Sequence, residues 1–366
     1  MSKKIVEQQR KSNFELLRII SMFFIIIWHI IIHGHMLENC QTETLKILLT
    51  ILEYIIVVHV NSFVLLSGYF QSQSKFKLKK LITLILQVIF YSSIIYLIAI
   101  KLGLVSEYNY LSIFDKFNLN ALGEYWFIKT YIILYIFSDY INKFIESLEK
   151  KQIYNFLIIG FIILSVIPII SRSILLYNDG YNFYHFIYMY IIGASLRKYP
   201  LKENYYFKKI SKRKYQLFLI TLFILASYLN YSFMVVGNNF NSLDILSSYI
   251  KSIMTHNTLY YSNPFIIIQS VSFFELFNTL DFKNKCINFL SKYVFGIYLF
   301  HDNTIIRNNI YKFLQIDQPF DSYKIFIKIF IVAILIFITG TIIDIIREKI
   351  FKLICKIGKK KKIYNK

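Results

Sequence analysis

The sequence predicts an all-α polytopic membrane protein of about ten transmembrane helices, with both termini on the cytoplasmic side. Three observations predict it. The 366-residue chain is 56% apolar and only 17% charged, against roughly 25% charged residues in soluble domains. Four Pro and eleven Gly leave the long Ile/Leu/Phe runs almost unbroken, and helices apolar all round belong in lipid, where backbone groups must be satisfied within the segment. The Lys and Arg residues fall mainly in alternate connecting segments. A membrane β-barrel would show alternating segments of about ten residues, and the chain has none.

Apolar runs of about 20 residues place helices near 14–33, 47–70, 81–101, 124–142, 154–171, 183–197, 215–236, 258–277, 289–311 and 323–346. The first follows Lys3, Lys4, Arg10 and Lys11 but lacks a small-x-small cleavage site, so it reads as a retained helix and not a signal peptide. The sixth is short, and the eighth is interrupted by Asn263-Pro264. With the N-terminus inside, the inner segments hold 31 Lys and Arg and the outer segments 8. This is the positive-inside asymmetry. It accounts for the net charge of +21 through topology and attraction to anionic lipid headgroups, and no nucleic-acid partner is needed. The stretch Arg347–Lys362 is basic and partly amphipathic, the pattern of an interfacial helix. Cys40, Cys286 and Cys355 fall on both sides of the membrane in this topology, so they build neither a disulfide framework nor a metal site.

Ionisable groups inside spans are costly and point to function. In the first helix Arg18 and His29 are eleven positions apart. At 100° per residue that is three turns plus about 20°, so both lie on one face roughly 16 Å apart along the axis. His33 extends that face by a turn. Arg18 near the inner end either snorkels to the headgroups or serves a site. His29, deeper in the span, is either a capped polar residue or a reactive one. The second helix carries Glu53, His59, Asn61 and Ser62, then Ser67-Gly68-Tyr69-Phe70. Ser62, Ser67 and Gly68 fit helix packing, while His59 and Asn61 fit packing and cavity lining equally. The ninth helix holds Tyr298-Leu299-Phe300-His301-Asp302, a second candidate histidine. The fourth opens Glu124-Tyr125-Trp126, with Trp126 fitting an interface belt, and Lys129 one turn deeper needs a partner or an aqueous cavity. The first, second and ninth helices are therefore expected to converge on one polar cavity. There is no phosphate-binding Gly-rich loop, Gly-x-Ser-x-Gly elbow or His-Glu-x-x-His zinc pair, which excludes a nucleotide-driven pump or a soluble-type hydrolase.

These residues carry a resemblance. Asn13-Phe14-Glu15-Leu16-Leu17-Arg18, with ten residues to His29, resembles the Arg-x10-His signature that opens the acyltransferase-3 family of membrane O-acyltransferases. Three further blocks follow in family order. Asn61 to Phe70 resembles the Ser-Gly-Tyr/Phe block, Glu124 to Tyr131 the Trp-Phe block, and Lys292 to His301 the Tyr-Gly-Ile-Tyr-Leu-x-His block. The chain departs from the pattern in having Lys75, Lys77, Lys79 and Lys80 where the family is often Arg-rich, and Ser138-Asp139 where it tends to Ser-Pro. Lys meets phosphate as a point charge and not as a planar fork.

The resemblance implies a transmembrane acyltransferase domain over 1–346 and a basic cytoplasmic tail over 347–366. It implies a bacterial plasma-membrane enzyme of the capsule or exopolysaccharide type. Acyl-CoA, acetyl-CoA above all, would be a co-substrate, with no permanently bound cofactor or metal, and a glycan or lipid-linked glycan the acceptor. His29 and Arg18 are then the catalytic pair, with His29 as base or acyl acceptor. His301 is a second catalytic candidate, and His59, Asn61 and Lys129 line the cavity. Trp126 and Tyr298 would contact substrate. Two other classes remain open at this stage: a polysaccharide exporter or polymerase, and a proton-coupled secondary transporter using His29 and His59.

Overall fold

A computed structural model describes residues 11–105, 108–170, 179–240, 244–256 and 258–364. Lys3, Lys4, Arg10, Arg172 and Lys366, which enter the charge asymmetry, lie outside the described residues. The protein is all-helical, with no strand among the described residues. The helices that matter below are α1 (Ser12–His33), α2 (Glu43–Ile56), α3 (His59–Gln71), α4 (Leu78–Lys101), α5 (Trp126–Ser147), α6 (Lys150–Phe161), α7 (Phe183–Lys198), α8 (Lys212–Asn239), α9 (Ile245–His256), α10 (Pro264–Asn278), α11 (Lys285–Leu290), α12 (Val294–His301), α13 (Thr304–Phe313) and α14 (Lys324–Tyr364).

Among the described residues, six helical stretches are long and apolar enough to cross a membrane: Ser12–His33, Glu43–Gln71, Leu78–Lys101, Lys150–Ile170, Lys212–Asn239 and Lys324–Ile354. The other four expected spans are helical but differ from the expectation for identifiable reasons. The fourth, α5, carries Lys129, Asp139, Lys143 and Glu146. The sixth and eighth, α7 and α10, have only 16 and 15 residues, about 24 Å of helix at 1.5 Å per residue. The ninth is broken into α11, a 3₁₀ turn at Ser291–Tyr293, α12 and α13. The tenth does not stop at 346, because α14 runs unbroken to Tyr364 and takes in the basic stretch expected to form a separate interfacial helix.

The helices fall into two compact units. The first comprises Met1–Gln41, Gln87–Ala121 and Asn284–Lys366. In it α1 buries Leu17, Ile26 and Ile30 completely, and Phe23 packs edge-on against Phe330 of α14 at 5.5 Å. Helices α12 and α14 approach closely at Gly296. A Cβ there would lie 2.2 Å from the Asp344 carboxyl carbon. Asp344 in turn accepts from Tyr91 Oη at 2.9 Å, Gln87 Nε2 at 3.1 Å and Arg347 Nε at 2.5 Å. A carboxylate buried in an apolar bundle needs such a set of donors, and here those from Tyr91 and Gln87 tie α4 to α14.

The second unit comprises Thr42–Leu86 and Leu122–Lys283. The expected single second span is two helices, α2 and α3, separated by Val57-Val58. Carbonyls on the N-terminal side of the break are served by side chains from elsewhere. Gln269 Nε2 of α10 donates to Tyr54 O at 2.9 Å and Ile55 O at 3.3 Å, and Ser227 Oγ of α8 donates to Tyr54 O at 3.1 Å. Irregular backbone within an apolar bundle survives on such substitutes. Helices α3 and α7 cross in close contact because neither has a Cβ at the crossing. One on Gly68 would meet Tyr190 O at 2.0 Å, and one on Gly193 would meet Leu65 O at 2.2 Å. This is the packing use of small residues expected for Gly68.

The eighth expected span starts late because 258–263 is not helical, although Thr258, Tyr261, Ser262 and Asn263 are buried. Asn230 Nδ2 donates to Thr258 O at 2.7 Å, Asn61 Nδ2 to Tyr261 O at 2.9 Å and Ser165 Oγ to Ser262 O at 2.5 Å. Asn263 then caps α10 by accepting from Phe265 N at 2.9 Å, with Pro264 at the first helical position.

Candidate functional site: a histidine relay at the ends of α1 and α12

The C-terminal thirds of α1 and α12 bring together the two histidines expected to be reactive. His29 Nδ1 lies 3.2 Å from His301 Nε2, and the ring centroids are 5.1 Å apart. His301 is fully buried, while the His29 side chain is 14% exposed. Behind them, His301 Nδ1 lies 2.7 Å from Ile297 O, one turn back in α12.

Those contacts fix the tautomers of a neutral pair. A peptide carbonyl only accepts, so His301 Nδ1 carries the hydrogen. A neutral His301 then has its lone pair at Nε2, which makes it the acceptor for His29 Nδ1–H. With its hydrogen at Nδ1, neutral His29 has its lone pair at Nε2. The chain Ile297 O, His301, His29 thus presents a basic nitrogen on the more exposed ring. The same logic orients an imidazole base through the hydrogen bond at its other nitrogen.

An acidic side chain adjoins the relay. Asp302 Oδ1 is 3.6 Å from His29 Nδ1, beyond hydrogen-bond reach, and 3.2 Å from Arg307 Nη1 of α13. The Tyr298 ring stands edge-on to His301 at 6.2 Å. His33 is 5.2 Å from His29, ring to ring, and stacks on Tyr311 at 6.4 Å. One donor atom each from His29, His33 and Asp302 lies within 4.8 Å of the others. The sequence reading passed over Asp302 and Arg307. Two signals were present: Asp302 adjoins His301, and His29 and His33 have the i, i+4 spacing of one helix face.

The remaining candidates are distributed differently. Arg18 is not in the histidine cluster. It lies three turns back on α1, 30% exposed, and its Nη1 donates to Glu15 Oε1 at 2.9 Å. His59 and Asn61 belong to the second unit and serve a network there. Asn61 donates through Nδ2 to Tyr261 O, and its Oδ1 accepts from His185 Nε2 at 2.9 Å. His59 is 5.7 Å from the Tyr261 ring. His185, completely buried, was not singled out from sequence, and its partner at 124 positions' remove left no local signal. Trp126 is half-buried, its ring 4.4 Å from Tyr181 and nearly parallel to Tyr261 at 6.0 Å. Lys129 is exposed on α5 and not enclosed in a cavity.

An all-helical, multi-pass membrane protein with a histidine relay at the ends of two apolar helices is the class that fold and site define. The acyltransferase-3 family, described as an acyltransferase domain, matches residues 11–345. The chain therefore belongs to that family and is a membrane acyltransferase. No curated protein and no solved structure matches it.

Proposed function

We propose that the protein transfers an acetyl group from acetyl-CoA to a hydroxyl of a cell-surface polysaccharide, or of its lipid-linked precursor, at the bacterial plasma membrane. Family membership supplies the acyl transfer. The observation that carries the mechanism is the 3.2 Å contact between His29 and His301, which directs the lone pair of His29 to Nε2. The acceptor hydroxyl oxygen attacks the thioester carbonyl carbon as His29 Nε2 takes the hydroxyl proton. The carbon–sulfur bond then breaks, and the departing thiolate recovers that proton, leaving ester, thiol and a neutral His29. His301 acts as a positioning residue. It holds the His29 ring in one orientation and one tautomer, and its own Nδ1–H is committed to Ile297 O.

The donor carries phosphates, which suits Arg18, partly exposed beside Glu15. Tyr298, against His301, is an acceptor contact in this reading. The test compares surface glycan by mass and NMR in cells with and without the protein, and with His29→Ala at equal membrane abundance. Acetyl ester should vanish in both cases. Wild-type ester content with His29→Ala would overturn the base assignment.

A further inference from the structure

We propose that His29, His33 and Asp302 also form a binding site for a late first-row divalent cation, zinc above all, and that filling it switches the base off. The binding half stands on geometry alone. The switching half rests on the role given to His29 above.

His29 and His33 sit one turn apart on α1 with rings 5.2 Å apart, and Asp302 caps the facing end of α12. Donor atoms of the three lie within 4.8 Å of one another. The His29 Nδ1 to Asp302 Oδ1 separation is already 3.6 Å. Tetrahedral zinc with bonds of about 2.0–2.1 Å holds its ligand atoms about 3.3 Å apart, so this edge is nearly in place. Two imidazoles and one carboxylate suit zinc or cobalt and not magnesium or calcium, which prefer all-oxygen sets.

The surroundings have the form of outer-shell support. A ligating carboxylate is usually held by a further hydrogen bond, and Arg307 supplies one to Asp302 at 3.2 Å. Both contacts are to Asp302 Oδ1, and a carboxylate oxygen has two lone pairs, so Oδ1 can bind metal with one while it accepts from Arg307 with the other. Tyr311 stacks on His33 and fixes its ring. His33 is only half-buried, so an ion can arrive from that side. Ligation through His29 Nδ1 moves the ring hydrogen of a neutral imidazole to Nε2. The lone pair that takes the hydroxyl proton is then gone, and His301 loses its donor.

The experiment uses the full chain in detergent micelles, purified without a histidine tag and titrated with Co²⁺. The expected result is one cobalt per chain with the intense visible absorption of a tetrahedral site, bleached by Zn²⁺. His33→Ala and Asp302→Asn should each weaken cobalt binding at least tenfold. His33→Ala should keep acyl transfer and lose its inhibition by micromolar zinc. A measurement needing no variant runs alongside: zinc should protect His29 and His33 from carbethoxylation by diethyl pyrocarbonate, read by peptide mass spectrometry. Absence of cobalt absorption and of protection overturns the site, as does absorption unchanged in both variants. Cobalt bound at these residues while zinc leaves acyl transfer untouched overturns the switch and counts against His29 as base.

Discussion

His29 on α1 and His301 on α12 share one hydrogen between Nδ1 and Nε2 across 3.2 Å, although 272 positions separate them in sequence. Removing either end has different consequences. His29→Ala deletes the proton acceptor and should lower acyl transfer about 10²–10⁴-fold. His301→Phe leaves the base but not its orientation, so kcat should fall while donor KM stays near wild type. His301→Gln restores an acceptor oxygen and should recover part of the loss. The double variant should be no worse than His29→Ala, because residues acting as a unit are non-additive. Steady-state kinetics on purified enzyme decide this, and additive losses would break the relay.

Arg18 and Glu15 form an i, i+3 pair at 2.9 Å, with Arg18 30% and Glu15 only 8% exposed. Arg18→Lys keeps the charge but loses the planar fork. It should raise KM for acyl-CoA several-fold with a smaller change in kcat. Glu15→Gln serves as the comparison. An equal KM effect in both variants would show that Arg18 acts only through its pair.

Gly296→Ala places a methyl group against the Asp344 carboxyl group, at 2.2 Å. Such overpacking costs about 1–3 kcal/mol, so the melting temperature in detergent should fall and membrane abundance with it. Gly296→Ala combined with Asp344→Ala should recover packing but not the bonds from Tyr91 and Gln87. Unchanged melting of Gly296→Ala would mean the two helices do not meet there.

Gln269→Leu removes the donor to Tyr54 O and Ile55 O at the break between α2 and α3. Tyr54 O keeps Ser227 Oγ, so the loss falls mainly on Ile55 O, and leaving a carbonyl short of a donor costs about 1–3 kcal/mol. The loss should appear as faster hydrogen exchange of amides flanking Val57 and Val58, with the rest of the second unit unchanged.

Topology follows from the charge asymmetry. A cysteine placed at Lys209, in the basic stretch 197–214, should resist membrane-impermeant maleimide in intact cells, while Cys40 should label. Labelling at 209 from outside would invert the arrangement.

The elements legible in the sequence were those whose signal is local. The spacing from Arg18 to His29 needs only helix geometry, and His301 stands out as an ionisable group in an apolar run. The alignment on one face put Arg18 and His29 together, but the same geometry could not say that Glu15 pairs with Arg18 while His301 meets His29, because a helix face runs past many neighbours along its length. The break at Val57-Val58 was invisible, since nothing in an apolar Ile-Ile-Val-Val run stops a helix. What permits it is Gln269, more than 200 positions away. The Asn263-Pro264 interruption was visible, but its extension back to Thr258 was not, because Asn230, Asn61 and Ser165 hold it from three other helices. Reading the ninth span as one helix failed for a related reason: the turn before α13 is made by Asn303 accepting from Ile305 N, a cap that an apolar-run reading passes over.

The relay ends at the Ile297 carbonyl, and a peptide oxygen can receive a hydrogen bond without ever accepting a proton for onward transport. It is a blind end. A proton captured on His29 has no exit through His301 and must return by the nitrogen it entered, to the departing thiolate. Turnover at this histidine would then move no net charge across the bilayer. The reaction should neither draw on the membrane potential nor leak it, and an uncoupler added to sealed vesicles should leave the transfer rate as it was.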